Sequence, residues 1–470
     1  MSRDPKADPA VELHSVAPFR KPLQNDSGNA DRFARQHRGK AFYCRPLGGW
    51  LVWDGRRFTA SDADAVAIAL AKETARSIYD EAKTVSRDTE KGFANFAVQS
   101  GNLPRLKAML SVAISCPDMC ASHTEFDADK AVLNVNNGIL DLRTGATTRH
   151  DPNRRMSKLA PVNYDAAAEC PTWLAFLDRI FEGDQELIDF LQVAAGYSLT
   201  GDTGAQAFFI AHGAGANGKS TFLNAMREIL GDYAMQTPAD TLMQKSSING
   251  GSASPDLARL PGSRFVVAVE ADTGRKLAEA TIKQLTGGDQ IAARRLHQDF
   301  FEFEPVCKIW LATNAKPEIG GTDEGIWRRV KMIPFNVTIP ADERDTKLPE
   351  KLRAEYPGIL AWAVHGAMRW HDERRLPNCN AVEAATLQYR QDSDRLADFW
   401  AACCIADKSR SVKAGDLYAA YQRFCAESGD DLATKTKFGM LMKARLGIST
   451  RKSGGLTVYL GLRLKLNGEG

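Results

Sequence analysis

The fold is decided by residues 207–230. They begin with the apolar run Ala-Phe-Phe-Ile-Ala (207–211), followed by His212. Next comes Gly213-Ala214-Gly215-Ala216-Asn217-Gly218-Lys219-Ser220-Thr221, and the stretch ends with residues 222–230. These three runs predict a buried strand, a glycine-rich loop and a helix. Glycines let consecutive backbone N–H groups turn toward phosphates, and the helix N-terminus adds its positive end. In such a loop Lys219 reaches the β- and γ-phosphates and the Ser220 hydroxyl holds Mg²⁺. The stretch predicts nucleotide binding by residues 213–221, with a fortuitous glycine-rich turn as the alternative.

Two further apolar runs end in polar side chains. Residues 265–269 are followed by Glu270 and Asp272, and residues 308–312 by Thr313 and then Asn314. Because α/β sheets place ligands at the carboxyl ends of their strands, the two acids are candidate ligands for a metal and a water. The amide of Asn314 is suited to orienting that water or sensing the γ-phosphate. Solvated acids and a simple turn are the alternatives.

A pair of arginines precedes the last strand-like run of this region. Trp327-Arg328-Arg329-Val330 leads into residues 332–335. An arginine at this point is placed to supply transition-state charge to the site of a neighbouring subunit. Ordinary surface charge is the alternative.

The overall composition is that of a soluble globular protein. The chain has 470 residues, of which 44% are hydrophobic and 25% charged, with a net charge of +3. These values exclude coiled-coil, collagen-like and membrane classes, and they require any basic surface to be local. No run approaches the ~18 apolar residues of a membrane span, and residues 1–36 lack the apolar core of a signal peptide. The nine cysteines are too sparse for a disulfide framework, so we expect mostly buried thiols in an intracellular protein without a membrane partner.

The length allows about three domains. Local patterns predict a hairpin at the Asp54-Gly55 turn, a helix capped by Ser61 that runs to about Ala82, a helix over residues 103–115, a strand and turn over 134–143, and two amphipathic helices after Pro171. The predicted divisions are a flexible lead-in (1–36), an N-terminal α/β region (37–170), an α/β motor (171–340), a helical extension (341–395) and a C-terminal module (396–470).

In their order along the chain, these motifs resemble those of superfamily III helicases. More narrowly they resemble the phage and plasmid primase-helicase branch, which is related to the poxvirus uncoating-type helicase. The runs that carry the resemblance are 213–221, 266–272, 283–289, 311–317, 326–330 and 333–335, with 134–142, 170–173 and 196–201 in the helicase-associated N-terminal region. The resemblance covers roughly residues 40–465.

What the resemblance implies is an α/β fold of the AAA+ P-loop type that assembles as a hexameric ring. Such a motor hydrolyses ATP with Mg²⁺ at its subunit interfaces and moves 3′ to 5′ along single-stranded DNA. The functional residues implied are Lys219 and Ser220 for phosphate and Mg²⁺, Glu270 and Asp272 as the acidic pair, Asn314 as the sensor, and Arg329 or Arg328 as the arginine acting in trans. Many relatives carry Glu where this chain has Asp272, so the division of labour between the two acids stays open. Lys283, in a stretch special to this superfamily, is a candidate for contacting phosphate or DNA across the interface, with a buried pair or a solvated face as alternatives.

Residues 290–303 predict two strands about a short turn. In the resembled family this hairpin projects into the pore of the ring. Arg295 and His297 share one face by the two-residue alternation of a strand, so both are placed to meet a DNA phosphate. Arg294 points the other way and is expected to brace the fold or the interface, although we include it among the candidate DNA contacts. Surface charge is the alternative.

The C-terminal module carries a second basic region. Helices predicted over residues 387–405, 415–427 and 434–446 precede two extended arms that flank a turn at 453–455, which is the pattern of a winged helix. Its basic residues from position 435 onward are Lys435, Lys437, Lys443, Arg445, Arg451, Lys452, Arg463 and Lys465. Duplex DNA is one candidate partner, and a protein partner or plain solvation are the alternatives.

The function predicted from the ordered motifs and the resemblance is an ATP-dependent replicative DNA helicase of phage, prophage or plasmid type. The resemblance also implies that it acts in the cytoplasm of a bacterial host. The alternative is an ATP-switched DNA-binding or loader protein that does not unwind. We expect no primase domain in this chain, because only about 36 polar residues precede the helicase-like region, and a separate primase is a candidate partner. Cys116, Cys120 and His123 lack a spacing-matched fourth ligand, so a Zn²⁺ site is not favoured.

Overall fold

The structure is a computed structural model that describes residues 23–84, 87–244, 256–270, 275–294, 300–319, 324–393, 395–428, 432–444, 448–453 and 456–465. The chain divides into two compact units. The first comprises residues 1–128 and 151–157, and the second residues 129–150 and 158–470. The finer division predicted above stays a prediction.

The first unit combines a small antiparallel sheet, in the order β1-β2-β3, with four helices. Its elements are α1 (Asp26–Gln36), β1 (Ala41–Cys44), β2 (Gly49–Trp53), β3 (Phe58–Thr59), α2 (Ala63–Ala82), α3 (Arg87–Ser100) and α4 (Leu103–Ala113). The predicted hairpin is confirmed, since Trp53 pairs with Phe58 across the Asp54-Gly55 turn. The helix predicted near residues 103–115 is confirmed as α4.

Helix α1 corrects the prediction that residues 1–36 form an irregular lead-in. The Asn25 side chain accepts a hydrogen bond from the Gly28 amide at 2.8 Å and so caps the helix. Phe33 is fully buried, and the buried Arg32 guanidinium pairs with Glu81 of α2 at 2.8 Å. These contacts come from residues distant in sequence, which is why composition alone misled. The part of the lead-in before residue 23 lies outside the described residues.

The start of α2 corrects a second expectation. Ser61 does not cap it; the helix begins at Ala63, and Asp62 precedes it with a left-handed φ of 53° and makes no side-chain capping bond. The helix ends at Ala82, as predicted. Burial of its alanine-rich face, which includes Ala67, Ala71 and Ala75, holds it in place without the cap.

The second unit contains the remaining elements. These are β4 (Val132–Val135), β5 (Gly138–Asp141), β6 (Thr147–Thr148), α5 (Pro171–Phe181), α6 (Gln185–Leu199), β7 (Phe208–His212), α7 (Lys219–Leu230), β8 (Ala234–Pro238), β9 (Phe265–Glu270), α8 (Glu279–Gly287), β10 (Ile291–Arg294), β11 (Phe300–Phe303), β12 (Lys308–Thr313), α9 (Glu324–Trp327), β13 (Val330–Pro334), α10 (Leu348–Ala354), α11 (Tyr356–Glu373), α12 (Asn380–Asp392), α13 (Arg395–Cys403), β14 (Cys404–Lys413), α14 (Ala414–Ser428), α15 (Lys435–Ala444), β15 (Ser449–Ser453) and β16 (Leu456–Leu464).

A five-stranded parallel sheet forms the centre of this unit, in the order β13-β7-β12-β9-β8. Alternate residues of its strands enter two separate cores. Phe209 and Trp310 pack in one core with α5, α6, α7 and α11, whereas Ile210 and Leu311 pack in the other with α8 and α9. Strands buried on both faces read as continuous apolar runs, which is why the sequence located β7, β9 and β12. The predicted α/β class is confirmed.

Helices α6 and α11 cross at glycines. A Cβ on Gly196 would lie 2.1 Å from the Ala367 backbone nitrogen, and one on Gly366 would lie 2.0 Å from the Gln192 carbonyl oxygen. No real Cβ makes such contacts, so a side chain at either position forces the helices apart and disrupts the core beneath the sheet.

We expect Gly196→Ala to lower the free energy of unfolding by about 2–4 kcal/mol, because the new methyl group meets rigid backbone. The matched control is Gly92→Ala in α3, where a Cβ meets nothing within 4 Å. That substitution should raise stability by about 0.5–1 kcal/mol through helix propensity. Urea unfolding followed by circular dichroism measures both, and equal effects at the two positions would contradict the close-packed crossing.

The C-terminal part of this unit has its own core. Strands β14, β16 and β15 form an antiparallel sheet in that order, and Phe399, Tyr421, Phe438 and Tyr459 pack against one another beneath it. The predicted helices over 415–427 and 434–446 and the two arms are confirmed as α14, α15, β15 and β16. The single helix predicted over residues 387–405 is corrected: α12 ends at Asp392, α13 runs from Arg395 to Cys403, and β14 pairs with β16 from Cys404.

Candidate functional site

The register of the parallel sheet aligns the residues that end its strands. His212 of β7 lies opposite Thr313 of β12, and Thr313 lies opposite Glu270 of β9. The residues that follow β7 and β12 in the chain, Gly213 and Asn314, therefore leave the sheet side by side. The glycine-rich loop, the amide and the first acid, which are far apart in sequence, meet at this carboxyl edge.

The loop after β7 has the backbone shape that its glycines permit. Gly215 and Gly218 have φ angles of 130° and 84°, a region that disfavours side chains. A Cβ on Gly213 would lie 2.1 Å from the Phe335 carbonyl oxygen, so only glycine allows this approach. Ala216 also lies in the left-handed region, at a φ of 49°. The loop therefore holds a constrained conformation that ends at the first residue of α7.

Contacts from the segment after β13 fix the loop in place. The buried Asn217 side chain donates from Nδ2 to the Phe335 carbonyl at 3.0 Å. The Ala216 carbonyl accepts from the Ile339 amide at 2.8 Å. Since Asn217 is engaged within the protein, it supports the loop from behind. Ala214, Ala216 and Ser220 are exposed on the other side.

Lys219 connects the loop to the neighbouring strand. Its side chain is 6% exposed, and its Nζ donates to the Gly213 carbonyl and, at 3.1 Å, to Oδ1 of Asn314. Burial lowers the pKa of the ammonium group below its ordinary value. A partly desolvated cation held by two oxygen acceptors has the surroundings that favour an anionic ligand.

His212 shares this environment. Burial lowers the pKa of its imidazole, and the positive charges of Lys316 and Lys219 lower it further. Lys316 is itself held by Asp392 of α12 at 2.6 Å. Lys316 therefore lies close enough to this edge of the sheet for its positive charge to act on His212 together with that of Lys219.

The predicted acids are only partly within the described residues. The backbone places Glu270 at the last position of β9, next to Thr313. Asp272 lies outside the described residues. The structure brings Gly213, Lys219, Asn314 and the Glu270 backbone together at one edge, and it leaves the role of Asp272 a prediction.

The two arginines lie at the opposite edge of the sheet, because they precede β13 whereas the loop follows β7. Arg329 is 7% exposed, and it donates from Nε to the Thr286 hydroxyl at 3.1 Å and from Nη1 to the Gly325 carbonyl at 2.6 Å. Arg328 is exposed and donates to Gln206 at 2.9 Å. Neither arginine is near the Lys219 of its own chain, and only Arg328 is at the surface.

Lys283 lies on α8, one turn before Thr286, which accepts from Arg329. Lys283 is half-buried, and because residues three apart on a helix are neighbours, it lies on the side of α8 that carries Thr286. Sequence reasoning did not identify Thr286 or Gln206 as their partners, because contacts between α8, α9 and the approach to β7 carry no local sequence signal.

The predicted hairpin is confirmed as β10 and β11, which pair antiparallel with Arg294 opposite Phe300. Arg295 and His297 lie outside the described residues, so their shared face stays a prediction. The guanidinium of Arg294 lies 5.0 Å from the centre of the Phe300 ring. Phe300 is an exposed aromatic residue that sequence reasoning passed over.

Three family models match successive parts of the chain. A model described as D5 N terminal like matches residues 30–182, a family of unknown function (DUF5906) matches 211–329, and a model described as poxvirus D5 protein-like matches 391–449. Among the described helices, none has the length and apolar character that crossing a membrane requires.

Relatives with helicase names align with the chain. It is 28% identical to "Putative helicase L207/L206" of Acanthamoeba polyphaga mimivirus over 58% of its length. It is 27% identical to "Putative helicase 022R" of Frog virus 3 over 60% of its length. The chain spans 30% of the length of each of these relatives. The solved apo structure of the NrS-1 C terminal region aligns over 64% of this chain and 79% of its own, with 11% identity and a TM-score of 0.39.

The described fold and edge define an α/β protein with a glycine-rich loop at the carboxyl edge of a parallel sheet. The chain is related to the D5-type primase-helicases of viruses, which confirms the relationship that its motifs predicted.

Proposed function

We propose that the chain is the motor of an ATP-dependent DNA helicase, in which residues 213–221 bind ATP. The observation that carries the proposal is the position of Lys219, whose buried ammonium lies between the Gly213 carbonyl and Asn314 where neighbouring strands end. The parallel sheet and the glycine-rich loop support a P-loop arrangement. Its strand order, numbered within the sheet, is 5-1-4-3-2, and the loop follows the first strand, an interior strand between the fifth and the fourth.

The residues present fit a nucleoside triphosphate with Mg²⁺. Gly213 and Gly218 let the loop pack closely against Phe335 and against Ile180 of α5, and a Cβ at Gly215 would meet no protein atom within 4 Å. This backbone shape suits a loop whose N–H groups bind phosphates. Ser220 is exposed in the first turn of α7, where its hydroxyl can reach the metal. Ser220 and the predicted acids would hold the Mg²⁺, which would supply positive charge beside the phosphates.

Each residue at this edge then has a separate task. Lys219 exchanges its Asn314 contact for phosphate oxygens and holds them in line for attack. Asn314, once released, orients the attacking water or reports the γ-phosphate to β12. Glu270 and Asp272 share metal binding and proton acceptance, and the proposal leaves their division open. Thr221 continues the helix N-terminus whose dipole favours the anion.

We propose further that the site is completed by a second subunit of a hexameric ring. Arg328 and Arg329 lie across the sheet from their own loop, by about the 17 Å length of a five-residue strand. Arg328 is the exposed member of the pair and is assigned the contact in trans, whereas Arg329 is tied to Thr286 and Gly325 and positions the segment. Lys283, on the side of α8 that carries Thr286, approaches the interface with them.

The DNA partners follow from two basic regions. The hairpin of β10 and β11, with Arg294 and the predicted contacts Arg295 and His297, is assigned to single-stranded DNA in the pore. The module built from β14, α14, α15, β15 and β16 has the element order of a winged helix and carries exposed Lys443, Arg451 and Lys452. It is assigned to duplex DNA, and a separate primase remains a proposed partner.

A strand-displacement assay with purified protein tests this function. A duplex with a 3′ single-stranded tail should be unwound with ATP, while a 5′-tailed duplex and a non-hydrolysable ATP analogue should give no product. ATP hydrolysis stimulated by single-stranded DNA, without displacement on either substrate, would replace the helicase proposal by the ATP-switched loader. Absence of ATP binding would remove both.

A further inference from the structure

The hairpin of β10 and β11 has two unlike faces. Its inward face is apolar and buried in the motor core, and consists of Ile291, Ala293, Phe303 and the half-buried Phe301. The alternate positions face outward, and consist of Ala292, Arg294, Phe300 and Glu302. Phe300 is therefore the one aromatic ring on the outward face of the described strands, and it is 62% exposed.

Arg294 fixes the position of this ring. The two residues are directly opposite each other in the antiparallel register, and the guanidinium carbon lies 5.0 Å from the ring centre. Nε of Arg294 is buried without a hydrogen-bond partner in the described part of the chain. The cation is thus held by the ring through a cation–π contact, which orders a side chain that would otherwise rotate freely in water.

An exposed phenylalanine held in this way has a free π-face beside a positive charge. Single-stranded nucleic acids are bound by this combination, since every base can stack on an aromatic ring while a nearby cation meets the phosphate. A protein partner is less suited to this surface. A binding hot spot centred on one aromatic ring requires a surrounding apolar pocket, whereas the outward neighbours of Phe300 include Arg294 and Glu302.

We propose that Phe300 and Arg294 form a stacking platform for the bases of single-stranded DNA. One base lies on the free face of the Phe300 ring, and the Arg294 guanidinium meets the adjoining phosphate. The inference rests on the proposed translocation along single-stranded DNA, and adds to it a contact that depends on the base instead of the backbone charge.

Two oligonucleotides of equal length and charge separate these contacts. Oligothymidylate carries bases, whereas a fully abasic phosphodiester strand carries only the backbone. Fluorescence anisotropy with a non-hydrolysable ATP analogue should show that Phe300→Ala weakens binding of oligothymidylate by about tenfold, the loss of one stacked base. Binding of the abasic strand should change less than about twofold in the same variant.

Two further variants distinguish stacking from apolar contact. Phe300→Tyr keeps an aromatic face and should retain wild-type affinity, whereas Phe300→Leu keeps apolar volume and should behave as Phe300→Ala. The control is Leu174→Ala, which removes an apolar side chain that is 47% exposed on α5 and should leave both affinities unchanged. Unchanged melting temperatures establish that each variant is folded.

The outcomes are distinct. Equal losses on both strands, or rescue by Leu, would overturn the stacking platform, and would favour contact of Phe300 with a neighbouring subunit. Wild-type protein that binds neither strand would overturn the proposed DNA translocation itself, and the platform with it. Wild-type preference for oligothymidylate that disappears only in Phe300→Ala and Phe300→Leu supports it.

Discussion

Replacing Lys219 by methionine should reduce DNA-stimulated ATP hydrolysis by at least about 10²-fold. Methionine keeps the length and apolar stem of the side chain but removes the charge that holds the γ-phosphate in line. Because the ammonium donates to two neutral acceptors, the Gly213 carbonyl and the Asn314 amide oxygen, its removal does not leave an unpaired charge in the core. We therefore expect the folded state to survive, and the loss to fall on turnover.

The control for Lys219→Met is the same substitution at a surface lysine, which removes a positive charge outside the glycine-rich loop. Lys351 of α10 is exposed and pairs with Asp345 at 2.7 Å, a surface contact worth at most about 1 kcal/mol. Lys351→Met should keep wild-type turnover. A coupled-enzyme assay measures hydrolysis, and thermal unfolding checks each variant. Turnover in Lys219→Met within about threefold of wild type would contradict a phosphate-binding role for the loop.

Much of this edge could be predicted from the sequence, because each part carries a local signal. Strands β7, β9 and β12 are apolar on both faces, and the closely spaced glycines between β7 and α7 indicate a tight loop. What the sequence could not supply is the register that places Glu270 beside Thr313 and His212. Register depends on packing between strands separated by tens of residues, so the meeting of Lys219 with Asn314 appears only in the fold.

Other features escaped prediction for the same reason. Helix α1 is polar in composition, and it is stabilised by Phe33 in the core and by the pair of Arg32 with Glu81. Lys308 looks like a solvated residue at the start of a strand, yet it is buried and donates to the carbonyl of Thr200 and, at 3.2 Å, to that of Asp202. In both cases a charge is buried where a distant partner satisfies it, which no local pattern reveals.

The arginine pair shows how burial refines a choice that sequence left open. Both arginines fit the motif, but the guanidinium of Arg329 is engaged within its own chain and that of Arg328 reaches the surface. Arg328→Ala should therefore lower ATP turnover on the order of 10³-fold while ATP affinity stays within about threefold. Arg329→Ala should instead lower the melting temperature, because it leaves Thr286 and Gly325 without their buried donor.

Mixing two inactive proteins tests whether Arg328 acts on a neighbouring subunit. In a ring, each site takes its loop from one subunit and its arginine from the next, so an equal mixture of Lys219→Met and Arg328→Ala contains intact sites in about a quarter of interfaces. Turnover should return to about that fraction of wild type after subunit exchange. The matched mixture of Lys219→Met with the double variant Lys219→Met/Arg328→Ala has no intact loop and should stay inactive. If the first mixture shows no recovery, Arg328 does not act in the site of a neighbouring subunit. Both arginines lie across the sheet from the Lys219 of their own chain, and this position is the ground for a site shared between subunits. That result would therefore contradict the shared site.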